Sequence, residues 1–164
     1  MSKGTKRAVL VGCNYPKAQF SLHGCINDVE AIRGVILNFG FHESDVNVLT
    51  DAPGSSILPT DVSLKFHPHY VNGLMVLDPL EEDEGILLSG CEANETSYDV
   101  VLGNRAFGAF THAVVTVLGK HKGISNRELM VEAARILKNQ GFDQNPCLYC
   151  SDENTNATFL GDLA

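Results

Sequence analysis

The chain has 164 residues, a length that suits one domain with one hydrophobic core. Hydrophobic residues make up 44% of it and charged residues 20%, as in ordinary globular proteins. The formal net charge of -8 argues against a surface for nucleic acid or anionic membranes, because both need a basic patch. No apolar run approaches the roughly 18 residues of a membrane span. Five cysteines without a secretion signal indicate reduced thiols and a cytoplasmic protein.

The first part of the chain predicts a strand, a helix and a second strand. The run "AVLVGC" (residues 8–13) is unbroken and apolar, as in strands that are buried on both faces of a parallel sheet. Asn27 and Glu30 have the spacing of a capping box, and Gly40 supplies a helix stop. "VNVLTD" (residues 46–51) is the second strand. The apolar residues at helical spacing between the strands are Val29, Ile32, Ile36 and Phe39.

The middle of the chain, residues 61–84, does not continue this pattern. It contains no capped helix, although "GLMVLD" could form one strand and "PLEEDEG" is an acidic linker. His67 and His69 stand two residues apart in "KFHPHYVNGL" and share a face only if the chain is extended there. Two histidines in a strand can bind zinc, but a zinc site needs three or four ligands. The two histidines are therefore better explained as loop residues without a functional role than as part of a metal site.

The second part of the chain repeats the alternation of strands and helices. "GILLSGC" (residues 85–91) and "CLYCSD" (residues 147–152) predict strands, and Ser125 with Glu128 predicts a capping box that opens a helix ended by Gly141. An earlier helix is marked by Phe107, Phe110, Val114 and Leu118. Alternating strands and helices predict an α/β fold with a mainly parallel sheet. The C-x-x-C spacing of "CLYC" alone is a weak metal or redox signal.

Two polar stretches follow predicted strands and are candidate sites. In "LHGCINDVEAI", Asp28 lies near a helix start, where an acid is stabilised by the helix dipole. The same carboxylate could instead face a pocket at the sheet edge and bind an Arg or Lys side chain. The spacing alone leaves both interpretations open. In "LLSGCEANETSYD", Glu92, Glu95 and Asp99 make the loop negative, and a solvated loop is the alternative there.

Several of these stretches together resemble the metacaspases, and among them the plant type II enzymes. "KRAVLVGCNYPKAQFSLHGCINDV" is similar to the start of their catalytic large subunit. "GILLSGCEANETSYD", "AFGAFTHAVVTVL", "ISNRELMVEAARILKNQGF" and "NPCLYCSDENTNATFL" are similar to successive parts of their small subunit. The resemblance implies one caspase-like domain over residues 1–164, with a large-subunit part at 6–60, a junction at 61–84 and a small-subunit part at 85–164.

The resemblance implies a caspase-like three-layer α/β sandwich and a calcium-stimulated cysteine endopeptidase that cuts after Arg or Lys, in proteolysis linked to programmed cell death. In the family a thiolate attacks and an imidazole moves protons. The family's histidine lies in a Ser-Gly-His-Gly loop and its cysteine in an Asp-x-Cys-His-Ser-Gly stretch. This sequence contains neither motif, so no catalytic residue is assigned. The calcium-binding segment is also missing, no cofactor or metal is expected, and "FHPHY" marks the junction of an internal deletion.

The deletion also affects the expected sheet. In caspase-like sheets the third and fourth strands lie between the first and the fifth, so their removal leaves two edges without partners. Unpaired edges cost hydrogen bonds and attract other strands. "YVNGLMVLD" is a candidate for a single substitute strand.

The substrate pocket is better preserved. By the resemblance, Cys25 and Asp28 match positions that line the pocket for the basic side chain, and Asp99 matches an acid of the small-subunit loop. Asn94 stands where relatives usually carry Asp, which weakens the negative charge of this pocket. The implied partners are Arg- or Lys-containing peptides or proteins and a full-length metacaspase that pairs through sheet edges. Nucleic acid and membrane are not expected partners.

Three hypotheses follow for the function. In the first, the chain is a catalytically inactive metacaspase-like protein that keeps the basic-residue pocket. In the second, it is an active cysteine endopeptidase with a relocated dyad that joins one of three thiols to one of two imidazoles. In the third, it is a non-functional truncated gene product. The relocated dyad would draw on Cys13, Cys25 or Cys91 and on His67 or His69.

Overall fold

The computed structural model describes residues 6–16, 19, 21–53, 70–71, 74–75 and 86–161. Its elements are a mixture of strands and helices in one domain, so the predicted α/β class is confirmed. In chain order they are β1 (Ala8–Gly12), α1 (Cys25–Leu37), β2 (Val46–Thr50), β3 (Tyr70–Val71), β4 (Leu74–Met75), β5 (Leu87–Ser89), β6 (Asp99–Leu102), β7 (Arg105–Gly108), α2 (Ala109–Leu118), α3 (Asn126–Asn139), β8 (Cys147–Tyr149) and α4 (Asp152–Asn156). Among these residues no helix is long and apolar enough to cross a bilayer.

The strands of the described residues form four pairs. β1 and β2 are parallel, and Ala8 is opposite Val46. The other three pairs, β3–β4, β5–β8 and β6–β7, are antiparallel. The parallel arrangement predicted for the sheet thus holds for β1–β2, where α1 provides the crossover that parallel strands need. The segment proposed as a substitute strand contains β3 and β4, which pair with each other.

The hydrophobic core lies between α2 and α3. Leu129 and Leu137 on α3 are fully buried, and α2 contributes small and β-branched residues that let the two helices approach closely. Phe39, just after α1, reaches the same core and is 3% exposed. Its ring meets Phe159 edge-on, with ring centroids 6.2 Å apart. The α2 members are Ala109, Ala113, Val114, Val117 and Leu118.

Helix α3 follows the sequence prediction closely. The Ser125 side chain accepts a hydrogen bond from the Glu128 backbone N–H, and the Glu128 carboxylate accepts one from the Ser125 backbone N–H. Both halves of the predicted capping box are therefore present. Gly141 has a φ of 81° after the helix end, a conformation that glycine adopts without steric cost.

The predicted capping box of α1 is wrong. The helix begins at Cys25, so Asn27 lies within its first turn and Gly24 is the residue before the helix. The Asn27 amide donates to the Ala106 carbonyl at 2.7 Å, and Glu30 forms an ion pair with Arg105. Both side chains are thus used in contacts with β7, which local sequence rules do not foresee.

A hairpin replaces the start of the helix predicted around Phe107. β6 and β7 pair through a two-residue turn, Gly103–Asn104, in which Gly103 has a φ of 61°. Phe107 belongs to β7, and α2 begins only at Ala109. A Gly-Asn step between apolar runs is a hairpin signal, and it places Gly108 directly before α2.

Candidate functional site

Asp28 connects α1 to the start of α2. Its carboxylate oxygens accept hydrogen bonds from the Gly108 backbone N–H at 2.9 and 3.1 Å and from the Thr111 hydroxyl at 3.0 Å. Gly108 precedes α2 and has no side chain that could cap it. Asp28, on α1, therefore supplies the carboxylate that stabilises the N-terminus of α2.

The contact depends on glycine at position 108. A Cβ at Gly108 would lie 2.7 Å from Asp28 Oδ2, closer than such atoms approach without displacement. Gly24 has a similar role, since a Cβ there would lie 2.9 Å from the Phe107 carbonyl carbon. Two glycines thus allow the first turn of α1 to approach the β7–α2 junction.

The three residues expected to bind substrate lie close together. Asp99 opens β6 and is directly opposite Gly108, whose N–H binds Asp28. Cys25 is the first residue of α1, and the pKa of its thiol is raised by burial and then by the nearby charges of Asp28 and Asp99. Residues from both parts of the chain therefore meet at one point, which the resemblance implied and the elements now explain.

The electrostatics of this cluster favour a cation. Burial is the main cause that raises the pKa of Asp28, and the charge of Asp99 raises it further. The hydrogen bonds from Gly108 and Thr111 act in the opposite direction but do not offset the burial. A positive group beside the two carboxylates would stabilise their charged forms, because opposite charges favour ionisation.

A cavity of about 350 Å³ opens beside Asp28. One wall is β1, and the other walls come from one face of α1 and from the start of α2. The lining is apolar except near Asp28 and Thr111. Its residues are Val9, Leu10, Val11, Cys25, Asp28, Val29, Ile32 and Thr111. Such a space can take the aliphatic part of a long side chain and place its charged end near a carboxylate.

The acidic loop after β5 has a structural contact of its own. Glu95 accepts hydrogen bonds from the backbone N–H groups of Glu92 and Asn145 at 3.0 and 2.8 Å. These bonds lower the pKa of Glu95, so its charge is used to join this loop to the segment before β8. Asn94 is exposed in the same loop. Of the loop acids, Asp99 is the one whose charge helps to raise the pKa of Cys25.

The described residues contain no assembled dyad. Burial is the first cause that raises the pKa values of Cys13 and Cys25, and a raised pKa opposes formation of the thiolate. No histidine of the described part of the chain hydrogen-bonds to a cysteine sulfur, and no cluster of three or more His, Cys, Asp or Glu there could hold a metal ion. His67 and His69 lie outside the described residues.

Sequence reasoning missed the residues that hold the cluster in place. Thr111 and Gly108 bind Asp28, and Arg105 donates to Asn27 Oδ1 at 2.9 Å and to Glu30 at 2.5 Å. The Gly-Asn turn was the available signal, because the hairpin it forms aligns Arg105 and Gly108 with α1. No local pattern identifies Thr111, whose contact with Asp28 is a tertiary one.

Two family models match the chain, one after the other. A model described as metacaspase, peptidase C14 domain matches residues 6–66, and one described as caspase domain matches residues 75–157, about half of the chain. The first match covers the stretch that resembles the large subunit, and the second covers most of the stretches that resemble the small subunit.

Curated plant relatives match in the same way. Metacaspase-9 of Arabidopsis thaliana is 27% identical over 311 residues, which cover 93% of this chain and 96% of that relative. Metacaspase-7 and Metacaspase-6 of the same plant are 51% and 45% identical over 81 and 82 residues, about half of this chain but only 20% and 22% of their own lengths. The Metacaspase-9 alignment is nearly twice as long as the 164-residue chain, so much of that relative lies opposite gaps.

Proposed function

This chain belongs to the caspase-domain peptidase family and is metacaspase-like, and on that premise we propose that it binds Arg- or Lys-containing peptides without cleaving them. The observation that carries the proposal is a cavity of about 350 Å³ that is lined by Cys25 and Asp28. Asp99 is near enough for its charge to raise the pKa values of both. Two carboxylates near an apolar-walled space suit a side chain with a long aliphatic part and a cationic end.

The absence of cleavage is proposed from the sequence and the thiols together. No cysteine in the chain is followed by histidine, and "FHPHY" lacks the Ser-Gly that precedes the family's catalytic histidine. Burial raises the pKa of the Cys25 thiol, which opposes formation of a thiolate. The gaps opposite Metacaspase-9 are consistent with loss of the segment that carries the dyad and the calcium-binding acids.

The partners proposed for this pocket are cytoplasmic peptides or proteins with exposed basic residues. A full-length metacaspase is a second partner of the same chemistry, because it too can present Arg or Lys on an extended segment. Neither role needs a cofactor or a metal.

The test is fluorescence anisotropy with a labelled peptide that contains one Arg, against the same peptide with citrulline, which has nearly the same shape but no charge. We expect the Arg peptide to bind more tightly. Asp99→Asn should weaken Arg binding roughly two- to fivefold, the effect of one exposed charge contact. Asp152→Asn is the matched control, because Asp152 is an exposed acid on α4 and should leave binding unchanged.

Equal affinity for the Arg and citrulline peptides would contradict the basic-residue pocket. Cleavage is measured separately, with an Arg-ending fluorogenic peptide, with and without calcium, beside an intact metacaspase. Hydrolysis that disappears on joint substitution of His67 and His69 would replace the proposal with a relocated dyad. A chain that lacks a cooperative thermal transition would instead support a non-functional product.

A further inference from the structure

Strand β1 has one partner in the part of the chain that the structure describes. It pairs with β2 along all five residues, from Ala8 to Gly12. In a strand, N–H and C=O groups point alternately to the two sides, so about half of those in β1 point away from β2. Val9 and Val11 are 63% and 52% exposed, which also leaves one face of β1 uncovered.

The cavity beside Asp28 lies along this second edge of β1. Three consecutive residues, Val9, Leu10 and Val11, line it together. Because consecutive side chains point to opposite faces of a sheet, a cavity can contact three in a row only where it follows the edge of the strand. The opposite side of the cavity is formed by α1 and the start of α2, including Asp28 and Thr111.

We propose that the second edge of β1 accepts an extended segment of a partner protein as an added strand, with an Arg or Lys of that segment directed to Asp28. This inference rests on the proposed binding of a basic side chain and adds the backbone contact through which the peptide is held. Strand addition supplies affinity through main-chain hydrogen bonds and specificity through alternate side chains. Here the specificity comes from one cationic side chain.

Charge identifies the occupant. The Asp28 carboxylate is half-buried, and the neighbouring charge of Asp99 raises its pKa, so the floor of the cavity gains most from a positive group. The chain as a whole carries a formal net charge of -8, which favours a basic segment over a second copy of this acidic chain. An apolar strand would cover Val9 and Val11 but would leave Asp28 without a counter-charge.

The experiment compares three labelled peptides with the full chain: an extended peptide with a central Arg, its citrulline form, and an Arg peptide with alternate backbone N-methyl groups. N-methylation removes N–H donors and leaves the Arg side chain unchanged. We expect it to weaken binding about tenfold or more, because several main-chain hydrogen bonds are lost together. Hydrogen exchange followed by NMR should show new protection at alternate amides of β1 with the Arg peptide alone, while amides of α3 serve as the internal reference.

The outcomes separate this inference from the proposed function. If the N-methylated Arg peptide binds as tightly as the Arg peptide and β1 amides gain no protection, strand addition is wrong but basic-residue binding stands. If Arg and citrulline peptides bind equally, both proposals are wrong. Protection of the same β1 amides in the free chain, or protection that rises with protein concentration alone, would show that this chain fills its own edge and would also overturn the inference.

Discussion

A single carboxylate joins the two parts of the molecule at the candidate site. Asp28 accepts three hydrogen bonds from the β7–α2 junction, through Gly108 and Thr111, and is the acid that lines the cavity. Two oxygens offer about four acceptor positions, so one position remains for a donor from a ligand. The carboxylate can therefore hold the fold together and still contact a cation.

The space at Gly108 allows a direct test of this connection. Gly108→Ala places a Cβ against Asp28 Oδ2, at 2.7 Å in the present geometry, and should reduce the free energy of unfolding by about 1–3 kcal/mol. Gly34→Ala is the matched control, because Gly34 lies within α1 with no atom near the added carbon. It should increase the free energy of unfolding by about 0.5–1 kcal/mol. Urea unfolding measures both.

Equal effects of the two substitutions would contradict the close contact between Asp28 and Gly108. The Gly108→Ala chain should also bind the Arg peptide more weakly than the Gly34→Ala chain, because its Asp28 is displaced. A loss of stability without a loss of binding would separate the structural role of Asp28 from its proposed role in the pocket.

Among the elements, α3 shows how a helix can be specified locally. Ser125 and Glu128 form the capping box, and the fully buried Leu129 and Leu137 are both on the face toward α2. Ser125→Ala should reduce the free energy of unfolding by about 1 kcal/mol, the usual cost of removing an N-cap side chain.

Ser151→Ala is the comparison for this prediction. Ser151 caps the five-residue helix α4 in the same way, with its side chain accepting from the Asn154 N–H at 3.3 Å. Ser151→Ala should reduce the free energy of unfolding by less than Ser125→Ala does, because a short helix contributes little to the core. Thermal unfolding of both variants measures the difference. A larger loss of stability for Ser151→Ala would contradict the prediction and show that the cap of α4 contributes more to stability than the cap of α3.

The elements also show what sequence patterns can predict. The box and apolar stripe of α3 were predicted because every residue involved acts within the same helix. The start of α1 was not, since Asn27 and Glu30 have the spacing of a box but bind Ala106 and Arg105 on another element. A tertiary contact thus decided which hydrogen bonds these side chains form.

The residues of the candidate site also fall into those that the sequence predicts and those that only tertiary contacts identify. The resemblance predicts Cys25, Asp28 and Asp99 as pocket residues, and the structure brings these three together, but no sequence pattern predicts the contacts of Gly108 and Thr111 with Asp28. Their importance comes from the approach of α1 to β7 and α2, which is not a local property. The parallel pairing of β1 and β2 was predictable from the apolar run of β1, but the predicted burial of β1 on both faces is wrong, because Val9 and Val11 are 63% and 52% exposed. The two-residue turn that forms β6–β7 was overlooked.

At the scale of the whole molecule, the question is whether the two family-matched parts behave as one unit. Lys6 donates to the carbonyls of Phe39 and Leu160 at 2.9 and 2.8 Å, which joins the region after α1 to the last described turn. Phe39 itself packs into the α2–α3 core against Phe159. Along with the Asp28 contact, these interactions give the first part of the chain a share in the core of the second.

Phe39→Ala tests this coupling. Removal of a buried phenylalanine ring should reduce the free energy of unfolding by about 3–5 kcal/mol, from lost apolar burial and the cavity that remains. Hydrogen exchange at increasing urea should show amides of α1 and α3 opening together in the original chain, and both should shift by the same amount in the variant. Val131→Ala, at a 59% exposed position on α3, should change stability by less than about 0.5 kcal/mol. Earlier opening of α1 with α3 unaffected would mean that the small-subunit part folds alone and that the first part is held to it only weakly.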